Sequence, residues 1–177
     1  QLQPAYLKRL LLIGTIHGVG ILFTWTSLDY LSPSIAALIW RFLPVLMLLL
    51  GVVFLGENIS VYEIVPIALM VVGAFVSVAM TWAEFGIGVI LAIIACLITA
   101  VQMVIVKQAV SDISPELLTL YRNGFGAVII GIWGFSTQQI NFHVPLSFWI
   151  IIFFGALIGE SLTFIFFFRS YQYWELS

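Results

Sequence analysis

Between Arg122 and Glu160 the chain runs for 37 residues without a lysine, arginine, aspartate or glutamate. Soluble domains carry charge at about one residue in four, so a run of this length needs an apolar solvent around it. As a single helix it would reach ~55 Å at 1.5 Å per residue, whereas the hydrocarbon of a bilayer is ~30 Å thick and takes about 20 apolar residues. The polar sequence Ser136-Thr137-Gln138-Gln139, with Asn141 and Pro145 beyond it, divides the run into two. The rest of the chain obeys the same logic. Of 177 residues, 63% are apolar or aromatic and 8% charged, and the mean hydropathy is +1.19. That balance excludes a small water-soluble globule, which could not hide so much apolar surface, and excludes disorder, which needs low hydrophobicity and high charge. A net charge of −2 leaves no basic footprint for nucleic acid. The single cysteine, Cys96, excludes an internal disulfide framework and a cysteine-based metal site. No metal and no cofactor is expected. The chain reads as an all-α polytopic membrane protein whose first partner is the lipid bilayer.

Uncharged stretches between polar punctuation define six spans, at residues 10–28, 33–55, 61–81, 85–106, 115–135 and 146–168. Their ends carry capping chemistry. Ser32-Pro33 and Ser114-Pro115 each set a hydroxyl before a proline at the first helical position. Ser60 with Glu63 reads as a capping box, and Gly56 suits a helix stop. Pro44 falls inside the second span, where a kink is expected. The runs are too long, and alternate too little, for barrel strands. Six crossings bring Lys8, Arg9, Lys107 and Arg169 to one face, while the loops of the other hold Asp29, Glu84 and His143. By the positive-inside rule the basic face is cytoplasmic. The expected location is the cell membrane, multi-pass.

An internal repeat adds a constraint. Gly14-x-x-x-Gly18 recurs 141 residues later as Gly155-x-x-x-Gly159, and Phe23, Ser27 and Tyr30 recur at a spacing of 143 as Phe166, Ser170 and Tyr173. A period containing five spans inverts the second copy, the arrangement of many secondary transporters. Residues 1–84 then hold the last three helices of one repeat, and residues 85–177 the first three of the next. A complete pair requires two more helices before residue 1 and two after residue 177.

Several motifs in order carry a resemblance. Phe54-Leu55-Gly56-Glu57, with Ser60, follows a proline-containing helix, and an apolar helix with Gly73 near its end comes next. Ser27-Leu28-Asp29-Tyr30-Leu31-Ser32 and residues 170–177 look like two copies of one short link, and Pro115 leads to Arg122. In this series the chain resembles the EamA-like branch of the drug/metabolite transporter superfamily. The resemblance implies helices three to eight of a ten-helix inverted-repeat transporter, with its cavity formed by the spans at 10–28, 33–55, 85–106 and 146–168. Trp40-Arg41-Phe42 departs from the pattern, since small or hydroxylated residues usually precede the proline there.

Glu63 and Glu116 sit in the first turns of their spans as caps, and three charges fall deeper inside spans: Arg41, Arg122 and Glu160. Such groups face a bundle interior or water, which makes each a functional candidate. Glu160, near mid-span beside Gly159, Ser161 and Thr163, is the candidate for proton coupling, expected as a buried carboxyl. His17 aligns with it at the repeat spacing. Arg41, ~12 Å beyond Pro33, could hold an anionic substrate or pair with Glu160. Gln102, with Thr99, could line a cavity. Arg122 and Pro44 read as gating or structural positions, and Gly14, Gly18, Gly155 and Gly159 as close-packing devices. The function expected is secondary transport of a small metabolite or drug by alternating access, with proton coupling through Glu160. The competing classes are a structural or assembly subunit and an intramembrane enzyme. An enzyme lacks support, because the sequence offers no paired catalytic residues.

Overall fold

The computed structural model describes residues 4–57, 61–79, 86–138, 140 and 143–173, of which residues 4, 5, 63 and 74–79 are described in backbone only. Every regular element among them is helical: α1 Pro4–Leu28, α2 Pro33–Trp40, α3 Leu43–Leu50, α4 Val61–Ala79, α5 Ile87–Ala109, α6 Pro115–Ser136, α7 Leu146–Gly155 and α8 Thr163–Ser170. Two π-helical turns join this series, Gly51–Leu55 after α3 and Ala156–Leu162 between α7 and α8. The expected capping box at Ser60 and Glu63 (in the latter case its side chain), Glu84, Gln139, Asn141 and the end of the 170–177 link lie outside the described residues.

Four described stretches are long and apolar enough to cross a membrane: Tyr6–Leu28, Pro33–Leu55, Ile87–Ala109 and Leu146–Ser170. The other two expected spans form helices as well: α4, whose side chains are described without a break only over Ile64–Gly73, an apolar stretch, and α6, which does not join those four. In α6 the polar residues Glu116, Arg122 and Asn123 lower the apolarity.

Local sequence explains the breaks. Between α2 and α3, Arg41 N–H donates to Leu38 O at 3.1 Å and Phe42 N–H to Ile39 O at 3.0 Å, a tightened turn just before Pro44. Proline has no N–H and its ring clashes with the carbonyl four residues back, here that of Trp40. The interruption therefore falls at Arg41–Phe42 rather than at the proline itself. Gly56 stops the following π turn with φ +70°, a left-handed conformation that glycine adopts without a Cβ penalty. Of the two serine caps, Ser114 accepts a hydrogen bond from Leu117 N–H at 3.4 Å. Ser32 instead uses its carbonyl, which accepts from Ile35 and Ala36 N–H at 3.1 Å.

The chain forms two compact units. One comprises Gln1–Gly18 with Val106–Tyr173, the other Val19–Ile105 with Trp174–Ser177. In the first, α6 lies against α8 and the second π turn. The first half of α1 packs on α6 through its glycines. A Cβ added at Gly14 would sit 2.5 Å from Phe125 Cβ and 2.8 Å from Tyr121 O, and one at Gly18 2.9 Å from Ile129. Leu10, Ile13, Leu118 and Phe168 are fully buried there. One end of this unit collects charge: Arg9 meets Asp112 at 3.4 Å, Arg169 meets Glu116 at 2.8 Å, and Lys107 lies 5.6 Å from the Tyr171 ring centroid. In the second unit, Leu31, Ile35, Ile39, Val89 and Ala92 form the core. Small residues on its buried α5 face, Gly88, Ala92, Ala95, Cys96 and Ala100, lie among Val89, Gln102, Met103 and Val104 and allow close backbone approach.

Candidate functional site

On α6 the residues Thr119, Arg122 and Gly126 fall at helical spacing on one buried face. Arg122 is only 3% exposed. A cation held that deeply needs a counter-charge or a compensating network, and the first unit supplies one from two other helices. Arg122 Nη1 donates to Glu160 Oε2 at 3.4 Å and to Asn123 Oδ1 at 2.9 Å. The guanidinium carbon stands 3.6 Å from the centroid of the Phe164 ring, a cation–π stack. Glu160 and Phe164 are four residues apart on the π-turn–α8 segment, so both reach α6 from one side. From the other side α1 brings His17, also buried, against Gly126: a Cβ added there would lie 2.8 Å from His17 Cδ2. Glycine at 126 is what admits the imidazole one helical turn beyond Arg122.

Two buried polar atoms of this face have no hydrogen-bond partner among the described residues, Arg122 Nε and Thr119 Oγ1. The Glu160 side chain, in contrast, is 56% exposed. It sits within the π turn, where Thr163 Oγ1 donates back five residues to Ile158 O at 2.9 Å. Such turns, with one residue more per turn than an α-helix, recur at functional positions. Counting from the ion pair of Glu116 and Arg169, Arg122 stands ~9 Å and Glu160 ~13 Å farther along their helices.

The remaining candidates lie elsewhere. Arg41 is exposed in the turn between α2 and α3, and Pro44 is exposed in the first turn of α3. The carboxylate of Glu160 thus pairs with Arg122, where the sequence had offered Arg41. Gln102, 1% exposed, lies in the core of the second unit on α5. Its neighbour Thr99 packs against α1, with Oγ1 3.6 Å from the position of a Cβ on Gly20. Gly14 and Gly18 are covered by α6, whereas nothing described lies within 4 Å of a Cβ added at Gly155 or Gly159. Among the described residues no group of three or more His, Cys, Asp or Glu could hold a metal ion.

What sequence reasoning missed is the role of Arg122 as partner of Glu160, and the neighbouring Thr119 and Phe164. The signal was present in the opening feature, because the two charges that bound the uncharged run are opposite in sign and both lie within helices.

Comparison with known proteins agrees with the helical architecture. The profile of the EamA-like transporter family matches residues 1–79 and 86–177. The uncharacterized transporter YxxF of Bacillus subtilis (strain 168) is 26% identical over 180 residues, covering 94% of this chain and 55% of that protein. The chain therefore spans about half the length of the curated relative it matches. No solved structure matches the chain. With family similarity over nearly its whole length and a helical, strongly apolar structure, the chain is a multi-pass membrane protein and belongs to the EamA-like transporter family.

Proposed function

We propose that the chain is the central part of a secondary transporter that moves a small metabolite or drug by alternating access, with Glu160 coupling the movement to protons. The observation that carries this reading is the Glu160–Arg122 pair: a half-exposed carboxylate on a π turn of an apolar span, held 3.4 Å from a buried guanidinium. Structural pairs close an interior. This one leaves its acidic member half uncovered by the described residues, and an ionisable group within a span is a candidate for proton exchange. Family membership supports transport as the activity. The matched stretches 1–79 and 86–177 support a division into two repeats near residues 84 and 85. The six-span, inverted-repeat arrangement is part of the proposal. It sets His17, Arg41, Gln102 and Glu160 on the cavity-lining spans, with Arg122 and Pro44 gating or supporting them. The charged end formed by Arg9, Lys107 and Arg169 supports one cytoplasmic face for these residues and Lys8.

The test is flux through the full-length protein in liposomes, using a panel of labelled amino acids, sugars, nucleosides and cationic drugs. Saturable flux above that of protein-free liposomes for at least one solute is expected. A correctly folded protein that moves none of them would favour the assembly-subunit reading.

A further inference from the structure

We infer that Arg122 anchors a subsite for a compact oxyanion, a carboxylate or phosphate group, which Glu160 fills as a displaceable internal ligand. The inference deepens the transport reading and takes its physiological meaning from it, while the binding event can be measured without transport.

Three observations converge. First, the resident pair is loose. A guanidinium and a carboxylate at optimum meet at about 2.7–2.9 Å and often through two parallel bonds. Arg169 and Glu116 reach 2.8 Å, whereas Arg122 and Glu160 share one bond of 3.4 Å, and the carboxylate is more than half exposed. Second, donor capacity is left over in a nearly dry place. Arg122 Nε is buried without a partner among the described residues, and so is the hydroxyl of Thr119, one helical turn away on the same face. An oxyanion that takes over the guanidinium edge could reach Nε, which Glu160, bonded to Nη1, does not from its present position. Third, the Phe164 ring lies 3.6 Å from the guanidinium carbon, packing one face of it. What recognises the ligand is the plane of the guanidinium, so the ligand is a flat or tetrahedral oxyanion rather than a cation or a neutral solute.

The exchange balances in charge. The structure pairs the Arg122 guanidinium with the Glu160 side chain. When Glu160 takes up one proton from water it releases the guanidinium, and one monoanion takes its place. One proton and one anion therefore enter together, and the site stays neutral throughout. The titratable groups of this cluster are Glu160, Arg122 on α6 and His17 on α1 against Gly126. Tyr121 of α6 stacks on Phe125 with 5.9 Å between centroids.

The experiment measures binding to the full-length protein in phosphatidylcholine nanodiscs, with benzoate and inorganic phosphate as probes and benzamide as the uncharged control. Wild type is expected to bind one of the anions in preference to benzamide. Glu160→Gln, which removes the competing carboxylate and keeps its shape, is expected to bind that anion at least tenfold more tightly than wild type at pH 7.5. Nanodiscs containing phosphatidylglycerol separate the two sources of anion: competition with the probes there assigns the subsite to a lipid headgroup, and its absence assigns it to a solute. Equal anion binding by Glu160→Gln and wild type would overturn the inference, and so would benzamide binding as tightly as benzoate. Should Arg122→Gln fail to fold, Arg122→Lys serves. It keeps the charge but removes the fork, and binding is expected to fall at least tenfold. Failure of these binding results with intact proton-driven flux would sink the subsite and leave the transport reading standing.

Discussion

Arg122 and Glu160 show where reading at the level of single residues succeeds and where it stops. Each was visible as an ionisable group inside an apolar span, which is costly enough to demand a reason. Their opposite signs hinted at a pair but did not establish one, because 38 positions separate them and the encounter depends on how α6 meets the α7–α8 span. Nor does sequence distinguish a glycine under a neighbouring helix from one on an open face. Gly14 and Gly155 occupy matching places in two copies of one motif, yet only the first meets a neighbour among the described residues. Added methyl groups should separate them. Overpacking a close contact costs roughly 1–3 kcal/mol, and at Gly14 part of the obstruction is the Tyr121 backbone, which cannot rotate away. Gly14→Ala is expected to lower the thermal midpoint of the detergent-purified full-length protein by several degrees. Gly155→Ala should leave it within about a degree. Equal shifts would contradict the packing assigned to α1 and α6.

At the scale of elements, the positions of helices were largely legible, because apolar run length and polar punctuation act locally. The expected 33–55 span is present as Pro33–Leu55, and the expected 146–168 span as Leu146–Ser170. Their internal irregularities were less so. Pro44 signalled a disturbance, but the break lies upstream at Arg41–Phe42, where the carbonyls facing proline lose their geometry. The π turns left no sequence signal, since inserting a residue into a helical turn depends on tertiary packing. Pro66 within α4 was passed over altogether. The serine caps provide a direct check. An N-cap side chain that bonds the first turn contributes about 1 kcal/mol. Ser114 makes that bond and Ser32 does not. Ser114→Ala should therefore destabilise by about 1 kcal/mol and Ser32→Ala by much less, measured by thermal unfolding under identical conditions. The reverse order would mean that the α6 cap is not formed as described. Gly56→Ala should cost about 1 kcal/mol or more as well, because alanine pays to adopt φ +70°.

For the whole molecule, the proposed six crossings and cytoplasmic basic face make a labelling prediction. In the full-length protein in intact cells, a cysteine at Ser111 should be shielded from an impermeant thiol reagent, and cysteines at Ser32 and Gln138 should react. Background from Cys96 should be low, because its side chain is 1% exposed. Labelling at Ser111 with protection at Ser32 would invert the orientation. Fold class and family were legible from composition and a handful of ordered motifs. The candidate site was legible only in part, since Glu160, His17 and Arg122 were each noticed but a three-helix cluster is a property of packing. The most direct measurement is flux driven by a pH gradient in liposomes holding the full-length protein, comparing wild type with Glu160→Gln across pH 5–8. Glu160→Gln keeps the shape and removes the exchangeable proton, so net gradient-driven flux is expected to fall at least tenfold while exchange at equilibrium persists. Gradient-driven flux equal to wild type throughout that range would contradict proton coupling at Glu160.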